Sequence, residues 1–142
     1  MFTAESTEVT ETMDEKARLN KITETIIGAA ISVHRTLGPG LLESAYEACM
    51  VYDLSQTGLK IDRQKPLPLV YRGISLECGY RLDLMVEDEV IVEMKSDEGL
   101  LPIHKAQLMA YLRLSGCKVG LLINFNVETL KNGIQRVVNN FP

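Results

Sequence analysis

The sequence predicts an α/β fold in which a central mixed β-sheet is flanked by α-helices, and three observations carry the prediction. Apolar residues recur at helical spacing from Leu19 to Leu37. Between residues 60 and 95 the pattern changes to short strand-like runs separated by Gly73, Gly79 and the acidic cluster Glu87-Asp88-Glu89. Finally, Val119-Gly120-Leu121-Leu122-Ile123-Asn124-Phe125 is a nearly continuous apolar run, as expected of a strand covered on both faces. With 142 residues, 46% of them apolar, the chain has material for one core and too little for a second full domain.

The first helix is expected over 19–37, its apolar stripe formed by Leu19, Ile22, Ile26, Ile27, Ala30, Val33 and Leu37 and its end set by Gly38-Pro39-Gly40. A second helix is predicted from Leu41 to Thr57, with Gly40 as N-cap and Gly58 just past its C-cap. Strand-like runs follow at 67–71, 74–77, 80–86 and 90–95, the first pushed toward a sheet edge by Pro66 and Pro68. Pro102 fits the first turn of a third helix that Gly116 ends. The segment 133–138 reads equally as strand or helix.

Charge divides the chain unevenly. The net charge is -4, yet Glu5, Glu8, Glu11, Asp14 and Glu15 all fall within the first fifteen positions, which hold no Lys or Arg. The remainder carries 14 acidic against 15 basic residues, so the acidic balance belongs to the N-terminal stretch. Residues 1–17 are therefore expected to form an acidic tail, disordered or loosely attached, ahead of a domain over 18–142. No run of 18 apolar residues is present, and the acidic start is unlike a secretion signal. Cys49, Cys78 and Cys117 form no C-x-x-C pair, which argues against a structural zinc site and for reduced, mostly buried thiols. A cytoplasmic protein with no membrane span is the expectation.

Asp83, Glu93 and Lys95 are the most informative residues. Glu93 and Lys95 lie two apart on one strand and share a face, leaving Val92 and Met94 for the other. If Glu87–Glu89 is a three-residue turn pairing Val86 with Val90, Asp83 falls opposite Glu93. A two-residue turn would pair it with Val92 and put it on the wrong face. In the first register the two carboxylates repel, and a hard divalent cation with oxygen ligands, Mg²⁺ or Mn²⁺, relieves that repulsion. Lys95 would orient the nucleophile or stabilise a pentavalent transition state at phosphate. The plain alternative is an exposed hairpin face with Glu93 and Lys95 as a solvated pair.

Glu43 falls at the third position of a helix capped by Gly40, where a carboxylate can bond back to the cap amide; it could equally join a metal site. Tyr46 shares its helical face and reads as a core residue or a substrate contact. On the third helix Gln107 and Tyr111 form a polar stripe with His104, suited either to an interior hydrogen-bonded pair or to a cleft. With only His34 and His104, a histidine-rich metal site is excluded, and nucleophilic triads, a phosphate-cradling loop and a dinucleotide fingerprint are absent.

Over residues 19 to 138, Gly40-Leu41-Leu42-Glu43-Ser44-Ala45-Tyr46, Gly79-Tyr80-Arg81-Leu82-Asp83, Glu93-Met94-Lys95 and the Gln107/Tyr111 pair together resemble the GxxExxY proteins, a branch of the PD-(D/E)XK nuclease superfamily. The resemblance implies a restriction-endonuclease-like core and a Mg²⁺-dependent (or Mn²⁺-dependent) nuclease acting on DNA more readily than RNA. It also implies roles: Asp83, Glu93 and Glu43 as metal-binding carboxylates, Lys95 as the signature lysine, and Gln107 and Tyr111 as nucleic-acid-positioning residues. Tyr46 and Arg81 join these as candidate substrate contacts. Leu82 stands where the superfamily name has Pro. The rival reading is a non-catalytic module that keeps the nuclease fold to bind nucleic acid or a protein partner. A homodimer would place two sites on two strands.

Overall fold

The computed structural model describes the backbone of residues 4–141 and the side chains of residues 14–141. Helix α1 (Ala4–Leu37) and helix α2 (Glu43–Ser55) precede strand β1 (Ile61–Pro66). A hairpin of β2 (Leu69–Tyr71) and β3 (Ile74–Leu76) then leads to β4 (Arg81–Val86) and β5 (Val90–Lys95). Helix α3 (Pro102–Ser115), β6 (Val119–Asn124), a short 3-10 turn (Leu130–Gly133) and β7 (Ile134–Val138) complete the chain. The main sheet has the order β1-β4-β5-β6-β7; β5 and β6 run parallel and the other neighbours antiparallel, so it is mixed. The hairpin β2-β3 is a separate two-stranded sheet.

Alternation along β5 and β6 divides the core. Val90, Val92 and Met94 with Val119, Leu121 and Ile123 face α1 and α2, meeting Ile26, Tyr46, Met50 and Phe125. Ile91 and Leu122 face α3, where Leu108, Tyr111 and Leu112 cover them. Each aliphatic side chain so enclosed contributes about 1.5–3 kcal/mol of transfer free energy. Burial on both faces is why the 119–125 run is apolar apart from Asn124.

Three elements depart from expectation. Helix α1 is helical from Ala4 rather than from Leu19, so it runs through most of the acidic stretch expected as a tail, of which residues 1–3 lie outside the described residues. Where side chains are described it is tied down by Glu15–Lys118 at 2.8 Å and by a two-bond pair between Arg18 and Glu89. Helix α2 begins at Glu43, with Leu42 rather than Gly40 at the N-cap. Gly38 and Gly40 instead take φ of 70° and 97° in a loop, a conformation only glycine adopts freely. Strand β1 was not foreseen because Ile-Asp-Arg-Gln-Lys-Pro is mostly polar; it survives as the sheet edge by pairing with β4.

The 133–138 ambiguity resolves as the end of the 3-10 turn and then β7. Gly116 closes α3 in the left-handed conformation, as its position implied. Of the thiols, Cys117 is buried and Cys49 half-buried, but Cys78 is exposed, beyond β3 where no element covers it. Among the described residues, no helix is long and apolar enough to cross a membrane.

Candidate active site

Turn chemistry decides the site. Glu87 and Asp88 both take left-handed φ, 54° and 55°, and the Glu89 amide donates to the Val86 carbonyl, giving a turn that pairs Val86 with Val90. Met85 then pairs with Ile91 and Leu84 with Val92, so the three-residue register is the one formed and Asp83 falls opposite Glu93. At that position side chains replace the ladder. The Asp83 amide donates to Glu93 Oε2 at 2.7 Å, and the Met94 amide donates to Asp83 Oδ2 at 2.9 Å. Each carboxylate is thereby fixed by the backbone of the other's strand.

The opposite edge of β4 is also irregular here. Arg63 pairs with Leu84 and Lys65 with Leu82, but the pairing skips Gln64 and Asp83, and Gln64 has a φ of 52°. Strict alternation would place Leu82 with Leu84, yet Leu84 belongs to the α1/α2 core and Leu82 to the α3 core. Asp83 thus sits at a local break in the pleat, the kind of distortion that re-aims a side chain beside a functional site.

Glu93 is 6% exposed and its carboxyl is pushed up to about 8, first by burial and then by the charge of Asp83, with a smaller push from Glu47. The hydrogen bond from the Asp83 amide and the positive charge of Lys95 oppose the shift without cancelling it. Asp83 is also raised, by burial and then by Glu47, against the Met94 hydrogen bond, Lys95 and Gln64. Lys95 is half-buried on the Glu93 face of β5, in register with Asn124.

A cleft of about 530 Å³ opens over this arrangement, lined by Glu43, Glu47, Gln64, Asp83, Met94 and Ser96 among others. Glu93 and Lys95 point from the other side of β5 to Met94, so Asp83 joins the cleft to the buried Glu93 and half-buried Lys95. Helix α2 supplies two acids, one turn apart. Glu43 is exposed at the rim, where its Oε1 accepts the Ser96 amide at 3.4 Å. Starting at the first helical position, it cannot take the capping-box role the sequence suggested. Glu47 is buried, accepts from Arg63 Nε at 2.9 Å and from the Gln64 side chain, and is the α2 acid whose charge reaches both Asp83 and Glu93. Sequence reasoning missed Glu47, although its spacing of four from Glu43 signals the same helical face.

Tyr46, counted among candidate substrate contacts, has no exposed surface. Its ring stacks on Phe125 with centroids 4.4 Å apart, while its hydroxyl donates to the Gly38 carbonyl at 2.6 Å and accepts from the Leu41 amide at 3.1 Å. It latches the loop whose Leu41 and Leu42 form one lip of the cleft. Tyr46→Phe is expected to cost about 1–2 kcal/mol of stability, because two polar backbone groups lose their partner. Urea unfolding of the two proteins checks this, and equal midpoints would refute the latch. Ser96 holds the same lip from below, donating its hydroxyl to the Leu41 carbonyl at 2.6 Å. Asn124 pins the next turn through bonds to both the amide and the carbonyl of Asp97.

The third helix places its polar residues unequally. Tyr111 is buried beside the acidic site, its phenol raised by burial and then by the charge of Glu93. Gln107 is exposed one turn earlier. His104 accepts the Leu101 amide through Nδ1 and serves the helix start. Arg81 is exposed at the cleft edge, donating to the Gln64 carbonyl at 3.3 Å.

Among the described residues, no group of three or more Asp, Glu, His or Cys side chains is placed to hold a metal ion. Asp83 and Glu93 nonetheless bring together oxygen donors of the kind a hard dication takes, and burial and neighbouring acidic charge oppose the ionisation of both. No curated protein and no solved structure matches the chain. A family model of the PD-(D/E)XK nuclease superfamily matches residues 20–137, a span that includes every element building this site. The chain belongs to the PD-(D/E)XK nuclease superfamily.

Proposed function

We propose that the protein is a divalent-cation-dependent nuclease of the GxxExxY branch, hydrolysing phosphodiester bonds in DNA in preference to RNA. The observation that carries this reading is the pairing of Asp83 with Glu93 across β4 and β5, with Glu93 driven to about 8. Two carboxylates held together against burial and repulsion store a negative potential that a bound Mg²⁺ or Mn²⁺ would neutralise. Asp83, Glu93 and Glu47 would hold the cation, with Glu43 at the rim. Such an ion supplies a water of lowered pKa and offsets charge on the phosphate oxygens.

The chain's own groups perform the remaining work. Lys95, on the Glu93 face of β5, would orient the attacking water and place a positive charge where the transition state gains negative charge. Glu47 is held by Arg63 and Gln64, so its carboxylate is positioned before any ligand arrives. Tyr111 lies buried on the α3 side, near enough to feel the charge of Glu93.

Mn²⁺ titration by calorimetry tests the donor set. Glu47→Gln is expected to weaken Mn²⁺ binding by roughly 10- to 100-fold, the scale of losing a supporting carboxylate, and Glu43→Gln by less than about threefold. The reverse order would transfer the helical ligand to Glu43. Absence of both Mn²⁺ binding and cleavage in the unaltered protein would favour the non-catalytic module instead.

A further inference from the structure

The hairpin between β1 and β4 has no role in the core, and its position is informative. Pro66 pairs with Arg81 and the Leu67 amide donates to the Tyr80 carbonyl at 2.9 Å, so the hairpin continues the β1–β4 ladder outward from the end that holds Asp83. Beyond Leu67 it pairs only with itself. Gly73 at its tip lies eight positions before Arg81, a reach of at most roughly 25 Å. Such a two-stranded arm is marginal in water on its own, and its large side chains face solvent: Tyr71 is 55% exposed and Tyr80 43%.

Aromatic and cationic groups are paired at both ends of the arm. At the base, Tyr80 meets Tyr111 edge-on with centroids 6.1 Å apart, and Tyr111 in turn feels the charge of Glu93. Its neighbour Arg81 bonds Gln64, whose side chain reaches both Glu47 and Asp83. At the tip, Arg72 lies over the Tyr71 ring with its guanidinium carbon 5.2 Å from the centroid. Among the described residues, neither Arg72 nor Arg81 has a carboxylate partner, whereas Arg63 and Lys65, just before the arm, are ion-paired. The arm's one acid, Glu77, is turned onto its own loop, accepting the Gly79 amide at 3.2 Å.

We infer that this arm binds unpaired nucleobases. Exposed tyrosines beside unpaired arginines suit a single strand, whose bases offer π-faces while its phosphates meet the guanidinium groups. A duplex keeps its bases stacked and offers Tyr71 and Tyr80 only backbone. The arm thus selects single-stranded or splayed substrate and leads it along Tyr80 and Arg81 to the carboxylates. This rests on the nuclease reading and adds the substrate class to it.

The test uses oligonucleotides carrying 2-aminopurine, as single-stranded DNA, single-stranded RNA and blunt duplex of one sequence, with Ca²⁺ present. Fluorescence reports stacking and anisotropy reports affinity. The unaltered protein is expected to bind the single strands about tenfold more tightly than the duplex. Tyr71→Ala and Tyr80→Ala are each expected to lose roughly 10-fold or more on single strands and little on duplex, with Tyr→Phe restoring binding. Tyr71 is too exposed for its loss to unfold the chain, so it stands as the variant least open to a folding artefact. Equal affinity for duplex, or no loss in the alanine variants while Mg²⁺-dependent cleavage persists, would overturn the arm proposal and leave the nuclease reading standing. Failure of the unaltered protein to bind or cut any nucleic acid would remove the nuclease reading itself. A fall in oligomer mass on Tyr71→Ala, seen by light scattering without nucleic acid, would reassign the arm to self-association.

Discussion

Asp83→Asn is expected to lower Mg²⁺-dependent cleavage by about two to three orders of magnitude while leaving the fold intact and, at neutral pH, slightly more stable. The substitution keeps the shape of the side chain. Its remaining oxygen can still accept the Met94 amide, the bond that fixes Asp83 at 2.9 Å, so the β4–β5 junction need not open. What disappears is the ionisable carboxyl at the point joining the cleft to Glu93. That group is central to holding a dication and, through it, to the charge balance of phosphoryl transfer, where a single electrostatic group supplies about 2.7–4 kcal/mol. Stability moves the other way because Asp83 is the largest charged contributor to the raised carboxyl of Glu93, and removing it relieves the buried neighbour. Steady-state cleavage assays and thermal unfolding of the same preparations read both effects. Retained cleavage within tenfold would show that Asp83 is not a ligand, and a large loss of stability would make it a structural residue.

The legible and illegible parts of this site separate for physical reasons. Asp83, Glu93 and Lys95 could be found because a strand has period two and a hairpin turn of counted length fixes which residues face each other; only the choice of turn needed the structure. The left-handed Glu87 and Asp88 made that choice, and neither residue type announces it. Helix α2 was visible as an element, yet its register was not: a hydroxyl reaching back eight residues to Gly38 moved the start to Glu43. That shift gave the deeper place to Glu47, one turn on, while the same periodicity admitted either acid. Strand β1 was hidden because an edge strand can be polar when only one neighbour pairs with it. The break at Gln64 and Asp83 had no local signal at all, since a glutamine in the left-handed region is not foreshadowed by its residue type.

The second large effect concerns stability against pH. Glu93 titrates near its ordinary value of 4.5 when unfolded and at about 8 when folded, so the native state holds this proton more tightly. Between those values the folded chain binds more protons than the unfolded one, and stability falls as pH rises, by at most about 1.4 kcal/mol per unit. The contribution is fully present below about pH 4.5, is lost through pH 8 and is flat above it. Glu93→Gln removes the titration but keeps an oxygen for the Asp83 amide. The variant should match the unaltered protein at pH 5 and exceed it by roughly 3–5 kcal/mol at pH 8.5, measured by urea unfolding in chelator. Adding millimolar Mn²⁺ at pH 8.5 should close that gap by stabilising only the protein that retains Glu93, because a bound ion replaces the proton as the source of neutralisation. A stability difference that does not change between pH 5 and pH 8.5 would mean that Glu93 is solvated and ordinary. A gap that opens with pH but fails to close with Mn²⁺ would establish a buried acid without a cation site, which is the signature expected of a nuclease fold retained for binding alone.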